Sequence, residues 1–187
     1  VVPIFKNDTE KTTVMAVADR IFAQIKAAGI RVKLDDRDHL SPGWKFNEWE
    51  LKGVPLRLEI GPRDIEKGLA SYMRRDTFEK GTLELNSLVP GVKALLDEIR
   101  RGMFRIADAF RLSRIKDVFS MEELGVQVNT GYARAMWCGE RACEDGIKEA
   151  FSATSRNMPF DQSGIPSDTC LCYCEPAIKI VPGAKAA

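Results

Sequence analysis

DDRDHLSPGWKFNEWELKGVPLRLEIGPRD, residues 35 to 64, decides the reading of this chain. Leu56, Leu58 and Ile60 alternate with Arg57 and Glu59, the period of a strand with one buried and one polar face. Gly61-Pro62 stops that strand. Upstream, Lys45 to Leu51 reads as a short helix closed by Gly53 and Pro55, and Asp36 to Gly43 reads as a polar loop ending in Ser-Pro-Gly. A pure core element would not carry so many charges of both signs, and a pure loop would not carry two Trp. The mixture suits a polar surface that recognises a shaped, hydrogen-bonding partner. Trp44 and Trp49 are expected in the core.

The flanks set the fold class. Val1 to Phe5 is β-branched and aromatic, a strand. A helix capped by Asp8 or Thr9 runs to about Ala28, with Val14, Ala18, Ile21, Phe22 and Ile25 at helical spacing and Gly29 as its C-cap. Ile30 to Leu34 reads as the next strand. Strand, helix, strand favours parallel pairing and an α/β sheet. Further on come strands at Ala70 to Met73 and Thr82 to Leu85, separated by a turn from Asp76 to Gly81. A long helix starts near Pro90, with Val92, Leu95, Leu96, Ile99, Met103, Ile106 and Phe110 as its apolar stripe. Its basic positions Arg100, Arg101, Arg105, Arg111, Arg114 and Lys116 read as a solvated face before they read as a contact for RNA. A domain boundary is expected inside this helix, near Phe104 to Arg114, giving domains 1–108 and 109–187. Beyond it, a helix capped by Ser120 through Leu124, a strand from Tyr132 to Trp137, a helix from Cys143 to Phe151 and a strand with loop character from Ala153 to Phe160 are expected. Asp161 to Asp168 reads as a loop, and the tail from Cys170 as short and Pro-interrupted.

Bulk properties exclude several classes. The net charge of +1 on 187 residues argues against gripping nucleic acid by global charge, though local patches remain open. No apolar run approaches the ~20 residues of a membrane span, and the start, VVPIFKNDTEK, lacks the pattern of a signal peptide. A cytoplasmic protein is expected. The absence of a starting Met suggests a piece of a larger protein. The lone His39 has no Ser-elbow companion, and no G-x-x-x-x-G-K phosphate loop occurs, so no catalytic constellation is visible.

All five cysteines fall in the last fifty residues. Cys138 and Cys143 form one close pair, and Cys170, Cys172 and Cys174 form a second cluster. Two such knuckles match a closed, tetrahedral four-thiolate zinc site, structural in kind, with three candidates for two places in the second knuckle. A metal staple also suits a segment too short to bury a good core unaided. Thiols without a metal are the bland alternative.

On chemistry alone, a carboxylate accepts from guanine N1–H and N2–H₂, while Arg or Lys donates to guanine O6 and N7. Unpaired loop bases expose these edges to a small α/β domain. The motif PGWKFNEWELKGVPLRLEIGPRD closely resembles the anticodon-binding domain of class II prolyl-tRNA synthetases of the archaeal and eukaryotic-like type. WCGERACE, ATSRNMPF and Cys170-Leu-Cys172 with Pro176-Ala177 resemble that family's carboxy-terminal zinc-binding domain. The resemblance implies a mixed-sheet class IIa anticodon-binding domain followed by a small α/β zinc-binding domain.

The resemblance also implies roles. Glu50 of WELKG would hydrogen-bond an anticodon guanine, Arg57 of VPLR the adjacent guanine, and Lys80 a further base or phosphate. Lys45, Lys52 and Arg63 would give supporting contacts. Cys138, Cys143, Cys170, Cys172 and Cys174 are the candidates for structural zinc. The partner would be tRNA(Pro), without DNA or membrane, in a parent that is a homodimer and uses ATP and Mg²⁺ in a catalytic domain missing here. Asn157 stands where the family commonly has Cys, Tyr173 where it has Gly, and the sequence finishes GAKAA where family members usually have an aromatic-rich tail, which is expected to be lost, altered or trimmed, or exchanged for another ending. A free-standing tRNA-binding or regulatory protein derived from a synthetase is the alternative, and a purely structural domain a third.

Overall fold

The computed structural model describes residues 1–163, 169–172, 176–177 and 179–185. Cys174 and the loop residues 164–168 lie outside that set, so the expectations for them stand where the sequence left them. The chain forms two compact units, Val1–Arg105 and Ile106–Ala187.

The first unit opens with β1 (Val2–Pro3) and α1 (Asp8–Ala27). Asn7, rather than Asp8 or Thr9, caps α1, accepting from the Glu10 amide at 2.8 Å. Val14, Ala18, Ile21 and Ile25 are its buried face. Gly29 follows with φ +78°, and its amide and that of Ile30 close the helix on Lys26 and Ile25. Ile30 to Leu34 is extended but is not a strand, contrary to the sequence reading. Among the described residues it is joined by Val1, which donates to the Lys33 carbonyl at 2.8 Å and accepts from the Asp35 amide at 2.9 Å. The parallel partner of β1 is instead β2 (Leu56–Ile60), in register Val2↔Glu59.

Helix α2 (Pro42–Leu51) starts three residues earlier than the spacing predicts. Ser41 caps it and Pro42 sits in its first turn, where a missing N–H costs nothing. After β2, Gly61-Pro62 ends the strand but also opens a further helix, α3 (Pro62–Glu66), for the same reason. β3 (Leu69–Arg74) and β4 (Lys80–Glu84) complete a mixed sheet of order β1-β2-β3-β4, antiparallel after the first pair. The long helix α4 (Leu88–Ser113) follows. Ile21, Ile25, Leu58, Ile60, Leu88 and Val92 meet in one core cluster. The stripe read from the sequence is buried at Val92 and Ile99, whereas Met103, Ile106 and Phe110 are exposed.

The second unit holds β5 (Ile115–Asp117), α5 (Met121–Gln127), β6 (Tyr132–Trp137), α6 (Arg141–Phe151), β7 (Ala153–Ser155) and β8 (Lys179–Lys185). Its sheet has order β5-β6-β8-β7, with β5 parallel to β6 and both contacts of β8 antiparallel. β8 was not expected, because Pro182 interrupts its sequence. Buried Gln127 ties the β5–β6 crossover, its amide donating to the Arg114 and Tyr132 carbonyls at 3.0 and 3.3 Å. Leu124, Val128, Ala133, Ala135, Ala153 and Leu171 form this unit's own core. Among the described residues, no helix is long and apolar enough to cross a membrane.

Candidate nucleic-acid interface and metal centre

The sheet register gathers most of the residues expected to meet RNA. Arg57 on β2 pairs with Met73 on β3, and Met73 pairs with Lys80 on β4. Directly paired residues of an antiparallel sheet share a face, so Arg57, Met73 and Lys80 form a row across three strands. Exposure rises along the row, from buried Arg57 through Met73 to solvent-facing Lys80. Lys80 is therefore the first residue of a strand and not part of the preceding turn. Glu50, in the last turn of α2, lies against the inner end of the row, its side chain 31% exposed.

Arg57 is 7% exposed. It donates to Glu50 at 2.6 Å, to Glu59 at 2.9 Å and to the Met73 sulfur at 2.9 Å, and its guanidinium lies 3.9 Å from the centre of the Phe46 ring. A buried cation needs such acid partners, because desolvation without them would be costly. Arg57 thus holds Glu50 in place, and one Glu50 oxygen, Oε2, has no partner among the described residues. The two residues expected to touch neighbouring guanines are tied to each other, with the acid as the more accessible member.

The end of α2 is fixed by its backbone. Gly53, at φ +76°, and Val54 return their amides to the Glu50 and Trp49 carbonyls at 3.1 Å each. This paired closure requires a left-handed residue after the helix, which glycine supplies without strain. The Glu50 carbonyl accepts a second bond, 2.9 Å, from Nε of Arg75.

The start of α2 is fixed by Asp35, which is 2% exposed. Its carboxylate accepts from Arg37 at 2.8 and 2.7 Å and from the Trp49 indole at 2.8 Å. Chiefly through the Arg37 bonds, its carboxyl is held well below the usual carboxylate range, against the opposing effect of burial. Arg37 also reaches Glu48, whose carboxyl is lowered by Arg37 and then by Lys52. Lys45 is 3% exposed and donates to the Asp35 carbonyl at 3.2 Å, and burial lowers its pKa. It faces the protein interior rather than solvent. Lys52 is exposed but engaged with Glu48 and stands 4.7 Å over the Trp49 ring. Arg63 is exposed on α3, beyond the far end of β2, whose last residue is roughly 10 Å along the strand from Arg57. Trp44 corrects the sequence reading. It is 52% exposed on the first turn of α2, with Arg37 5.7 Å from its ring, whereas Trp49 is half-buried.

In the second unit, the thiols of Cys138, Cys143 and Cys170 all lie within 4.8 Å of one another, and all three residues are buried. The Cys138 and Cys143 sulfurs are 3.5 Å apart. A tetrahedral zinc with Zn–S bonds of about 2.3 Å would place its sulfurs ~3.8 Å apart. Cys172 packs against the cluster, its sulfur 4.0 Å from the Cys143 carbonyl. The three buried thiols lie close enough together to hold one metal ion, and their chemistry suits a thiophilic one.

Comparison with known proteins gives the family. Residues 1–95 match the family model described as anticodon binding domain, and the chain belongs to that family. Residues 121–186 match the model described as prolyl-tRNA synthetase, C-terminal. The chain is 47% identical over 165 residues to a proline–tRNA ligase of Roseiflexus castenholzii, covering 87% of this chain and 34% of that protein. It is 42% identical over 179 residues to proline–tRNA ligase 2 of Clostridioides difficile, covering 95% and 37%. A chloroplastic/mitochondrial proline–tRNA ligase of Arabidopsis thaliana is 43% identical over 192 residues, covering 99% and 35%. The chain spans about a third of the length of these relatives. It corresponds to their anticodon-binding and C-terminal portions, as the motif resemblance implied, with the mixed α/β fold expected.

Proposed function

We propose that this chain reads the anticodon of proline tRNA for a ligase that joins proline to that tRNA. The observation that carries this reading is the row Arg57–Met73–Lys80 with Glu50 at its buried end. Proline codons begin CC, so the second and third anticodon bases facing them are both G. Glu50, oriented by Arg57, accepts from N1–H and N2–H₂ of one guanine. Arg57 contacts the neighbouring guanine by releasing one of its acid partners, and Lys80 meets a base or phosphate at the open end of the row. Lys52 and Arg63 lend charge at the margins, while Lys45 acts from within by holding the loop before α2. Proline activation with ATP and Mg²⁺ belongs to the remaining two thirds of the parent, which acts as a homodimer. The division of labour falls inside α4, near residue 108.

Zinc is the proposed ion for the second unit, held by Cys138, Cys143, Cys170 and one of Cys172 and Cys174. It would supply no chemistry beyond closing the fold. Thiolate ligation suits a reducing compartment such as the cytoplasm.

Binding of the chain to a proline anticodon stem–loop, compared by gel shift with a loop of altered anticodon, tests the reading. A retarded band with the first and a much weaker one with the second is expected. Equal retardation of both, or none of either, would overturn it.

A further inference from the structure

We propose that Arg75 is a specificity-determining residue of this interface, donating to O6 and N7 of the guanine whose opposite edge Glu50 holds. The inference rests on the anticodon reading above and names a cation which that reading did not include. Arg57 is buried, and its fork is spent on Glu50, Glu59 and Met73. Arg74 is buried and bound to Asp76, Glu79 and Glu98. Arg75 is exposed and lines the same depression as Glu50, Arg57, Met73 and Trp49. Among the described residues its side chain makes one hydrogen bond, from Nε to the Glu50 carbonyl. Its own amide is fixed on the Pro55 carbonyl at 3.0 Å.

Two consequences follow from that arrangement. The guanidinium is anchored at one nitrogen, so little freedom remains to be lost when a ligand arrives. Its two terminal nitrogens have no hydrogen-bond partner among the described residues, in a depression that Glu50 also lines. A guanine presents N1–H and N2–H₂ on one side of O6 and N7 on the other. An acid next to an anchored guanidinium matches that sequence of donors and acceptors. Adenine reverses the pattern at position 6 and is disfavoured at both contacts.

Base analogues separate the contacts. Binding of the chain to labelled anticodon stem–loops is measured by fluorescence anisotropy, with each of the two guanines replaced in turn by inosine, which lacks N2–H₂, or by 7-deazaguanine, which lacks N7. The wild-type chain is expected to lose about tenfold or more at one guanine with either analogue. Arg75→Ala is expected to bind guanine about as weakly as the wild type binds 7-deazaguanine, to be indifferent to the missing N7, and still to reject inosine. Arg75→Lys, which keeps the charge without the fork, is expected to behave as Arg75→Ala at N7. A wild-type chain that binds the guanine and inosine loops alike overturns the anticodon reading itself. A wild type that rejects inosine, with 7-deazaguanine costing both variants as much as it costs the wild type, overturns the Arg75 proposal alone. A uniform loss on every loop with a salt slope reduced by about one marks a phosphate contact and also overturns it.

Discussion

At the scale of single residues, Glu50 and Arg57 are one ion pair with two different exposures, and their replacement should differ accordingly. Glu50 is partly solvated, and Arg57 retains Glu59 without it, so Glu50→Ala should weaken binding of the proline stem–loop with little change in stability. Arg57→Ala leaves two acids facing an emptied, mostly buried site, which costs several kcal/mol when a buried pair is broken. Chemical denaturation of both variants checks this, and a similar midpoint for both would contradict it. The alternating pattern sets Arg57 on the polar face of its strand, and only the structure shows that this position is buried. Asp35 carries a pH dependence. Its folded pKa lies below the unfolded value of about 3.9. The unfolded chain therefore takes up the proton first on acidification, and stability that is full at neutral pH declines as pH falls below about 4. Denaturation midpoints at pH 7 and pH 3 should show a smaller drop in Asp35→Asn than in the wild type. Arg74 and Arg75 show the limit of reading residues from sequence. Two adjacent arginines look alike in RRD, yet the last residue of β3 turns inward to three acids while the next faces out.

At the scale of elements, the site depends on how α2 ends. Gly53 allows the closure that returns two amides to Trp49 and Glu50. Gly53→Ala places a side chain at φ +76°, with an expected cost of about 1 kcal/mol. It should also weaken stem–loop binding by more than that stability loss explains, because the last turn carries Glu50. Thermal melts together with anisotropy check both, and an unchanged affinity would separate the helix end from the site. Most elements were legible because hydrophobic period survives in a single sequence: α1, β2, β6 and the long helix are of this kind. Three of the misreadings share a cause. Pro is read as a stop, but at the first turn of a helix it is a start, which hid α3 and shortened α2. Pro182 likewise hid β8, although an internal strand position tolerates it here. Trp44 looked like core from its composition, yet its helix turns it outward beside Arg37.

At the scale of the whole chain, two separate cores imply two separable stabilities. The first unit's cluster is aliphatic and draws on α1, β2, β3 and α4. The second is smaller and adjoins the three buried thiols. With the proposed zinc bound, a strong chelator should lower the unfolding temperature of the second unit and leave the first nearly unchanged. Ile21→Ala should do the reverse, costing about 2–5 kcal/mol in the first. Unfolding followed by hydrogen exchange at residues of β2 and β6 distinguishes the two, and equal effects at both sites would argue against independent units. A thiol cluster was legible as a cysteine count, but which thiols converge was not, because that depends on where β6, α6 and the 169–172 segment are brought together.

β8 is the last strand among the described residues, yet it lies between β6 and β7, so β7 has no strand partner and β6 lacks one of its two until residues 179–185 are made. During synthesis the first unit has all its strands long before the second can close. A ribosome halted shortly before Lys179 would hold a first unit with all its strands made, tethered to a half-built sheet with two bare edges. Quality control would meet that product as an open strand edge, the kind of surface on which nascent chains stick to one another.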